Sequence, residues 1–216
     1  MKQLTRTILL AFAVGVISFV IVRSSAADRD PTVPAWSEAV QRRWGEIAAE
    51  GTLLGSEAAP VTVAVFSDFQ CPFCAEADSV LRQAREANAD AVRIRYHHMP
   101  LTAIHPYALQ AAHAAECAAE QGRFDAYAKA LFSRQSQIES SSWVALARAA
   151  GVPDLERFEH CHASGTHVRR IFADLERARS LKLPGTPVVV VNGEVLSRVT
   201  PQSLEEAIRR GLRSAR

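Results

Sequence analysis

An α/β fold carrying a large helical insertion is what the sequence predicts, and three observations predict it. Short β-rich runs lie at 61–66, 92–97, 187–191 and 194–199. Helical patterns follow the first and the last of them, and a long alanine-rich stretch with no strand signal fills 104–181. With 216 residues, 48% of them hydrophobic, one such domain plus an extension can bury a substantial core, so no disulfide is needed merely to fold.

Taken in order, Trp36, Val40, Trp44, Ile47 and Ala48 recur at helical spacing after Pro34, so 28–58 reads as an extension holding one amphipathic helix. It is too short for a separate folded domain, and docking on its own domain is expected ahead of a dimerising arm. The main domain runs over 59–214. Its first strand is Val61-Thr62-Val63-Ala64-Val65-Phe66, followed at once by "SDFQCPFCAEA", where a helix over 71–88 begins, and then by the strand at 92–97. Breaks at Gly122, Ser140-Ser141-Ser142, Gly151-Val152-Pro153 and Ser164-Gly165 divide the insertion, about 103–181, into four or five short helices. Such a bundle can cover one end of the sheet and wall a groove beside the Cys-Pro-Phe-Cys turn. Asn192-Gly193 between the last two strands signals a hairpin, and Thr200-Pro201 caps a final helix whose buried face is Leu204, Ala207, Ile208 and Leu212.

Lys2 and Arg6 precede an uncharged stretch, Thr7 to Val22, followed by Arg23 and Ser24-Ser25-Ala26-Ala27, so 1–27 reads as an export signal. The apolar stretch rises only about 24 Å as a helix, short of a usual span, yet Arg23 sits where a cleaved signal is normally uncharged. A retained membrane anchor through residues 7–22 is the other reading. Under both, the rest of the chain is expected in the periplasm or elsewhere outside the cytoplasm. The 25 basic residues are scattered among 23 acidic ones for a net charge of +2, which leaves no one-signed field and sets nucleic-acid partners aside.

Outside the cytoplasm thiols tend to pair, and the chain has four cysteines. A strand running straight into a turn and helix puts Cys71 at the helix N-terminus, where unpaired backbone N–H groups and the helix dipole stabilise a thiolate. Cys74 follows one turn later on the same side, and Pro72 suits the first turn because its missing N–H has no partner to lose. The pattern fits a redox dithiol in which an exposed, acidic Cys71 attacks or is attacked and Cys74 resolves the mixed disulfide. A zinc site would need four ligands and usually a second cysteine pair of similar spacing, which the sequence does not have; His160 and His162 flank Cys161 but fall on different helix faces. A purely structural bridge is a poor reading too, since so small a loop barely restricts the unfolded chain.

The strand–Cys-Pro-Phe-Cys–helix unit, the helices inserted after the second strand, and Gly185-Thr186-Pro187 before the third together resemble the DsbA-like branch of the thioredoxin superfamily. The resemblance spans roughly 55–214 and is most specific at "FSDFQCPFC" and "GTPVVVVNG", with "HPYALQAAHAAECAAEQGRF" similar to the family's insertion helices. It implies a thioredoxin-like fold with a helical-domain insertion between the second and third strands, catalytic Cys71 and Cys74, and neither cofactor nor metal. It also implies that Pro187 is cis and faces the dithiol, leaving the Thr186 backbone free to pair with an extended substrate; an ordinary turn proline is the alternative. Pro72 and Phe73 would tune the thiolate, and because Phe73 brings no hydrogen bond or charge, a couple of intermediate potential is expected. Where many thioredoxin-like proteins carry a buried carboxylate six residues before the first cysteine, this chain has Val65. Asp68, on the turn, is the nearest acid, so proton uptake from Cys74 is in question. Among His97, His98 and His105, which flank the insertion, His105 is a candidate for a role at the site. For Cys117 in "AAECAAE" and Cys161 in "FEHCHA" a disulfide is the simplest account in an exported chain and two buried free thiols the alternative. A similar pair in some DsbA-like proteins supports the bond.

The function expected is an exported thiol–disulfide oxidoreductase acting on extracytoplasmic client proteins and recharged by a membrane redox partner. A disulfide-forming oxidase leads over a reductase or isomerase, because isomerases resembling this site carry a further N-terminal domain for which residues 28–60 are too few. A redox-inactive module that holds extended segments in the Pro187 groove is the reading from a different class.

Overall fold

The computed structural model describes residues 34–214. The signal or anchor expected at 1–27 lies outside them, and among the described residues no helix is long and apolar enough to cross a membrane. The chain divides into two compact units, Met1–Glu38 and Ala39–Arg216. Of the first, the described part opens helix α1 (Ala35–Arg42), where the Ser37 hydroxyl donates to the Pro34 carbonyl at 2.7 Å.

The second unit is built on a five-stranded sheet. β2 (Val61–Ser67) is its centre, parallel to β3 (Val92–His98) on one side and antiparallel to β4 (Val188–Val191) on the other. β1 (Thr52–Leu54) and β5 (Glu194–Val195) are the antiparallel edges. All seven residues of β2 are buried, which is what a strand covered on both faces requires and why it reads as an unbroken apolar run. Side chains alternate across the pleat. Val63 and Val65 join Ile94, Tyr96, Leu81, Leu204 and Ala207 in one core cluster. Phe66 and its cross-strand partner His97 stack at 4.6 Å on the opposite face. The helix after β2, α3 (Pro72–Ala87), and the last helix, α9 (Pro201–Ser214), pack together on the Leu81–Leu204 face.

Three local expectations are corrected. The single helix expected over 36–48 is two, α1 and α2 (Trp44–Ala49), because the backbone of Arg43 leaves the helical region at φ −105°, ψ 18°. β1 was not expected; it is three residues long and relies on pairing with β3 for its existence. β5 stops at Val195 rather than running to 199. After the Leu196 N–H bonds the Val189 carbonyl, the Ser203 hydroxyl donates to the Arg198 carbonyl at 2.7 Å, so the start of α9 takes up the segment. The hairpin itself is as expected: Asn192 and Gly193 have φ of 45° and 89°, the positive values a two-residue type I′ turn needs, and the Asn192 side chain accepts the Thr62 N–H at 2.8 Å.

The insertion lies between β3 and β4, which are the second and third of the expected strands once β1 is set aside. It comprises α4 (Ala108–Ala119), α5 (Phe124–Ser133), a 3-10 turn (Gln135–Ser140), α6 (Trp143–Ala149), α7 (Leu155–Ser164) and α8 (Val168–Ser180). α4 is buried on nearly every side, and its alanines let α5 to α8 approach closely. Cys117 of α4 is bonded to Cys161 of α7, with the Cα atoms 5.8 Å apart. Two buried histidine–carboxylate contacts fasten the bundle to the sheet: His98 Nε2 lies 2.8 Å from Glu116, and His97 Nδ1 lies 3.0 Å from Asp174. Burial alone would raise the Glu116 carboxyl, but the hydrogen bond and charge of His98, with Arg170 and Thr52 beside it, hold it at about 2.

Candidate functional site

The site is assembled where the C-terminal end of β2 meets α3. Cys71 is the N-cap residue of α3, extended at φ −77°, ψ 120°, with Pro72 in the first turn and the Cys74 N–H donating back to the Cys71 carbonyl at 3.0 Å. Both cysteines are free thiols. The Thr186–Pro187 bond is cis and brings the Thr186 carbonyl to 3.5 Å from Cys71 Sγ. The Thr186 hydroxyl is buried with no nitrogen or oxygen partner among the described residues, which leaves it free to donate to a sulfur anion.

Cys71 differs from expectation in one respect: it is 5% exposed, not open to solvent, because the Thr186 carbonyl sits against its sulfur. Its chemistry is nevertheless that of an anion. A hydrogen bond from the Cys74 thiol lowers the Cys71 thiol most, burial opposes it, and Thr186 with the N–H groups of Cys74 and Phe73 adds to the lowering. The outcome is a value of about 5. Cys74 moves the opposite way, pushed up by burial first and by the neighbouring Cys71 anion second. One sulfur is thus held as a nucleophile or leaving group and the other as its proton-bearing partner. Phe73, between them, is 64% exposed and projects at the rim.

Neighbouring groups fix this turn. Asp68 is fully buried: its carboxylate accepts the Gln70 N–H at 2.7 Å and the Leu101 N–H at 2.8 Å, and pairs with His105 Nδ1 at 2.8 Å. Its own N–H donates to Cys74 Sγ at 3.4 Å. His105 therefore touches the loop that carries the dithiol through Asp68, whereas His97 and His98 are the buried partners of Asp174 and Glu116 described above. From the insertion, the Gln135 amide donates to the Cys71 and Phe69 carbonyls at 2.9 and 2.8 Å. Cys117 and Cys161 lie apart from this site, bonded to one another.

Two residues with a place here were missed in the sequence. Gln135 is 64 positions from Cys71 and carries no local signal. Asp78 does carry one: at four residues after Cys74 it shares that face of α3. It lines a narrow pocket beneath the dithiol with Ser67, Cys74, Arg82, Tyr96 and Asp125. Burial raises its carboxyl against the opposing pull of Arg82. The Tyr96 hydroxyl, in the same pocket, has no hydrogen-bond partner among the described residues. Where the strand offers Val65 and no acid, Asp78 supplies a carboxylate from the helix side.

Comparisons with known proteins agree with this geometry. Residues 48–210 match the family model described as Thioredoxin. Among curated proteins, the Na(+)/H(+) antiporter NhaA 3 of Salinispora tropica is 37% identical over 139 residues, covering 64% of this chain and 21% of that protein. The chain therefore spans about a fifth of the length of that relative. Among solved structures, a thioredoxin-like oxidoreductase from Silicibacter pomeroyi is 26% identical with a TM-score of 0.65, covering 74% of this chain and 91% of its own. Oxidised BdbD from Bacillus subtilis is 21% identical with a TM-score of 0.66, covering 76% and 93%.

Proposed function

The chain belongs to the thioredoxin family, and from that premise we propose that it is a DsbA-like, exported thiol–disulfide oxidoreductase working through Cys71 and Cys74, in the direction of disulfide formation. The observation that carries the reading is the state of Cys71: a thiol lowered to about 5 at a helix N-terminus, opposite the backbone of Thr186.

In the oxidised protein, a client thiolate attacks Cys71 Sγ; the Cys71–Cys74 bond breaks, and Cys74 leaves and takes up a proton. A second client thiolate then attacks the client sulfur of the mixed disulfide and expels Cys71. The client gains a disulfide and the protein holds two electrons as a dithiol, which a membrane redox partner removes. Stabilising the Cys71 anion makes it a good leaving group and favours the reduced form, which is what an oxidant requires. Extended client segments pair with the backbone at Thr186 beside Pro187, a mode that accepts many sequences. Gln135, Asp68 and His105 are positioning residues for the turn, and Asp78 is the nearby carboxylate for proton exchange with Cys74. The N-terminal segment 1–27 delivers the domain outside the cytoplasm, and 59–214 is the catalytic domain.

Replacing Cys71 with serine tests this. Oxidation of reduced ribonuclease is expected to fall to the background rate, while binding of an unfolded client is retained. Unchanged oxidation, or an effect confined to client aggregation, would favour the redox-inactive binding module instead.

A further inference from the structure

We propose that, once reduced, Cys117 and Cys161 form a transition-metal site with His113, three protein ligands that leave the fourth tetrahedral position to solvent, so that the disulfide acts as a redox latch on metal binding. His113 Nε2 lies 3.7 Å from Cys117 Sγ, and a ring nitrogen of His113 lies within 4.8 Å of both sulfurs; Glu120 and His167 form a separate group that shares only Cys161 with these. A tetrahedral zinc with its usual bond lengths separates a thiolate sulfur from an imidazole nitrogen by about 3.6 Å and two sulfurs by about 3.8 Å. The separation between Cys117 Sγ and His113 is therefore already present, and the two sulfurs, 2.06 Å apart in the bond, move apart when it opens. Glu120 is 4.0 Å from Cys161 Sγ and is held by His167 at 2.7 Å. The three donors, His113, Cys117 and Cys161, come from α4 and α7. They are not the adjacent His160 and His162 that the sequence offers. Thiolate and imidazole together suit zinc or cobalt rather than a hard cation.

Reduction needs a dithiol donor. Its thiolate attacks the sulfur of Cys161, the less buried residue of the two, and Cys117 leaves as a thiolate. The donor's second thiol then attacks the donor's own sulfur in the mixed disulfide, ending with a disulfide on the donor and two thiols here. Binding of a divalent ion displaces the two thiol protons.

The test uses the full chain with Cys71→Ser and Cys74→Ser, so that only this pair remains, reduced with a phosphine and titrated anaerobically with Co2+. One equivalent is expected to bind, with the visible bands of tetrahedral cobalt and a near-ultraviolet thiolate charge-transfer band, both displaced by Zn2+. The disulfide-closed protein is expected to show neither band. His113→Gln is expected to weaken binding at least tenfold, the scale that even an outer-shell partner commands. Reduced protein that shows no thiolate band, that binds cobalt equally well with His113→Gln, or that loses its far-ultraviolet helical signal without regaining it on adding Zn2+ overturns the proposal.

Discussion

At the scale of single residues the chemistry turns on Cys71. Its position, its partner Cys74 and Pro187 were legible because each is a local motif: a strand end, two cysteines one turn apart, and an X-Pro before a strand. What was not legible is how deeply the sulfur sits, because Thr186 approaches it across 115 residues. Gln135 was invisible for the same reason. Titrating the reduced protein by thiolate absorbance, with alkylation mapped by mass spectrometry, should give a midpoint near pH 5 and label Cys71 before Cys74. The sign for stability follows. A thiol depressed in the folded state stabilises the reduced form above its unfolded value, and that contribution is lost as pH falls through about 5. The melting temperature of reduced protein relative to oxidised protein should therefore drop between about pH 8.5 and 5.

At the scale of elements, the joint between sheet and insertion is made by buried hydrogen bonds between histidine and carboxylate. The sequence shows His97 at the end of a strand, His98 just after it and Glu116 on an alanine-rich helix, but nothing in it pairs positions 18 and 77 residues apart. The strands themselves were readable where runs were long and apolar; β1, at three residues, was too short to stand out from a turn. Glu116→Ala leaves His98 and Arg170 without their shared carboxylate in a buried setting, and should destabilise by about 3–5 kcal/mol, measured by urea unfolding. Glu116, held at about 2, and Asp174, also lowered against burial by His97, stabilise the fold above the ordinary carboxylate range. That stabilisation should be lost as pH falls from about 4 toward 2, with circular dichroism marking the loss.

At the scale of the whole molecule, the thioredoxin-like part supplies the dithiol and the insertion supplies a clamp, the Gln135 amide on the Cys71 turn. The α/β order and the place of the insertion could be read because strand and helix periodicities differ; how the helices close over the site depends on packing among alanines that any neighbour can satisfy. The Cys117–Cys161 bond closes a span of 44 residues within the insertion. Replacing both by serine should cost about 4 kcal/mol in the chain-entropy view, read as a lower urea midpoint, with the first dithiol still reactive. The central claim, that stabilising the Cys71 anion makes this chain an oxidant, is tested most directly by the reduction potential of the Cys71–Cys74 pair in the full chain, equilibrated against glutathione and trapped peptide by peptide. A thiol near 5, between the reducing and strongly oxidising members of the superfamily, predicts roughly −180 mV. A value at or below about −270 mV, that of a reducing couple, would contradict it.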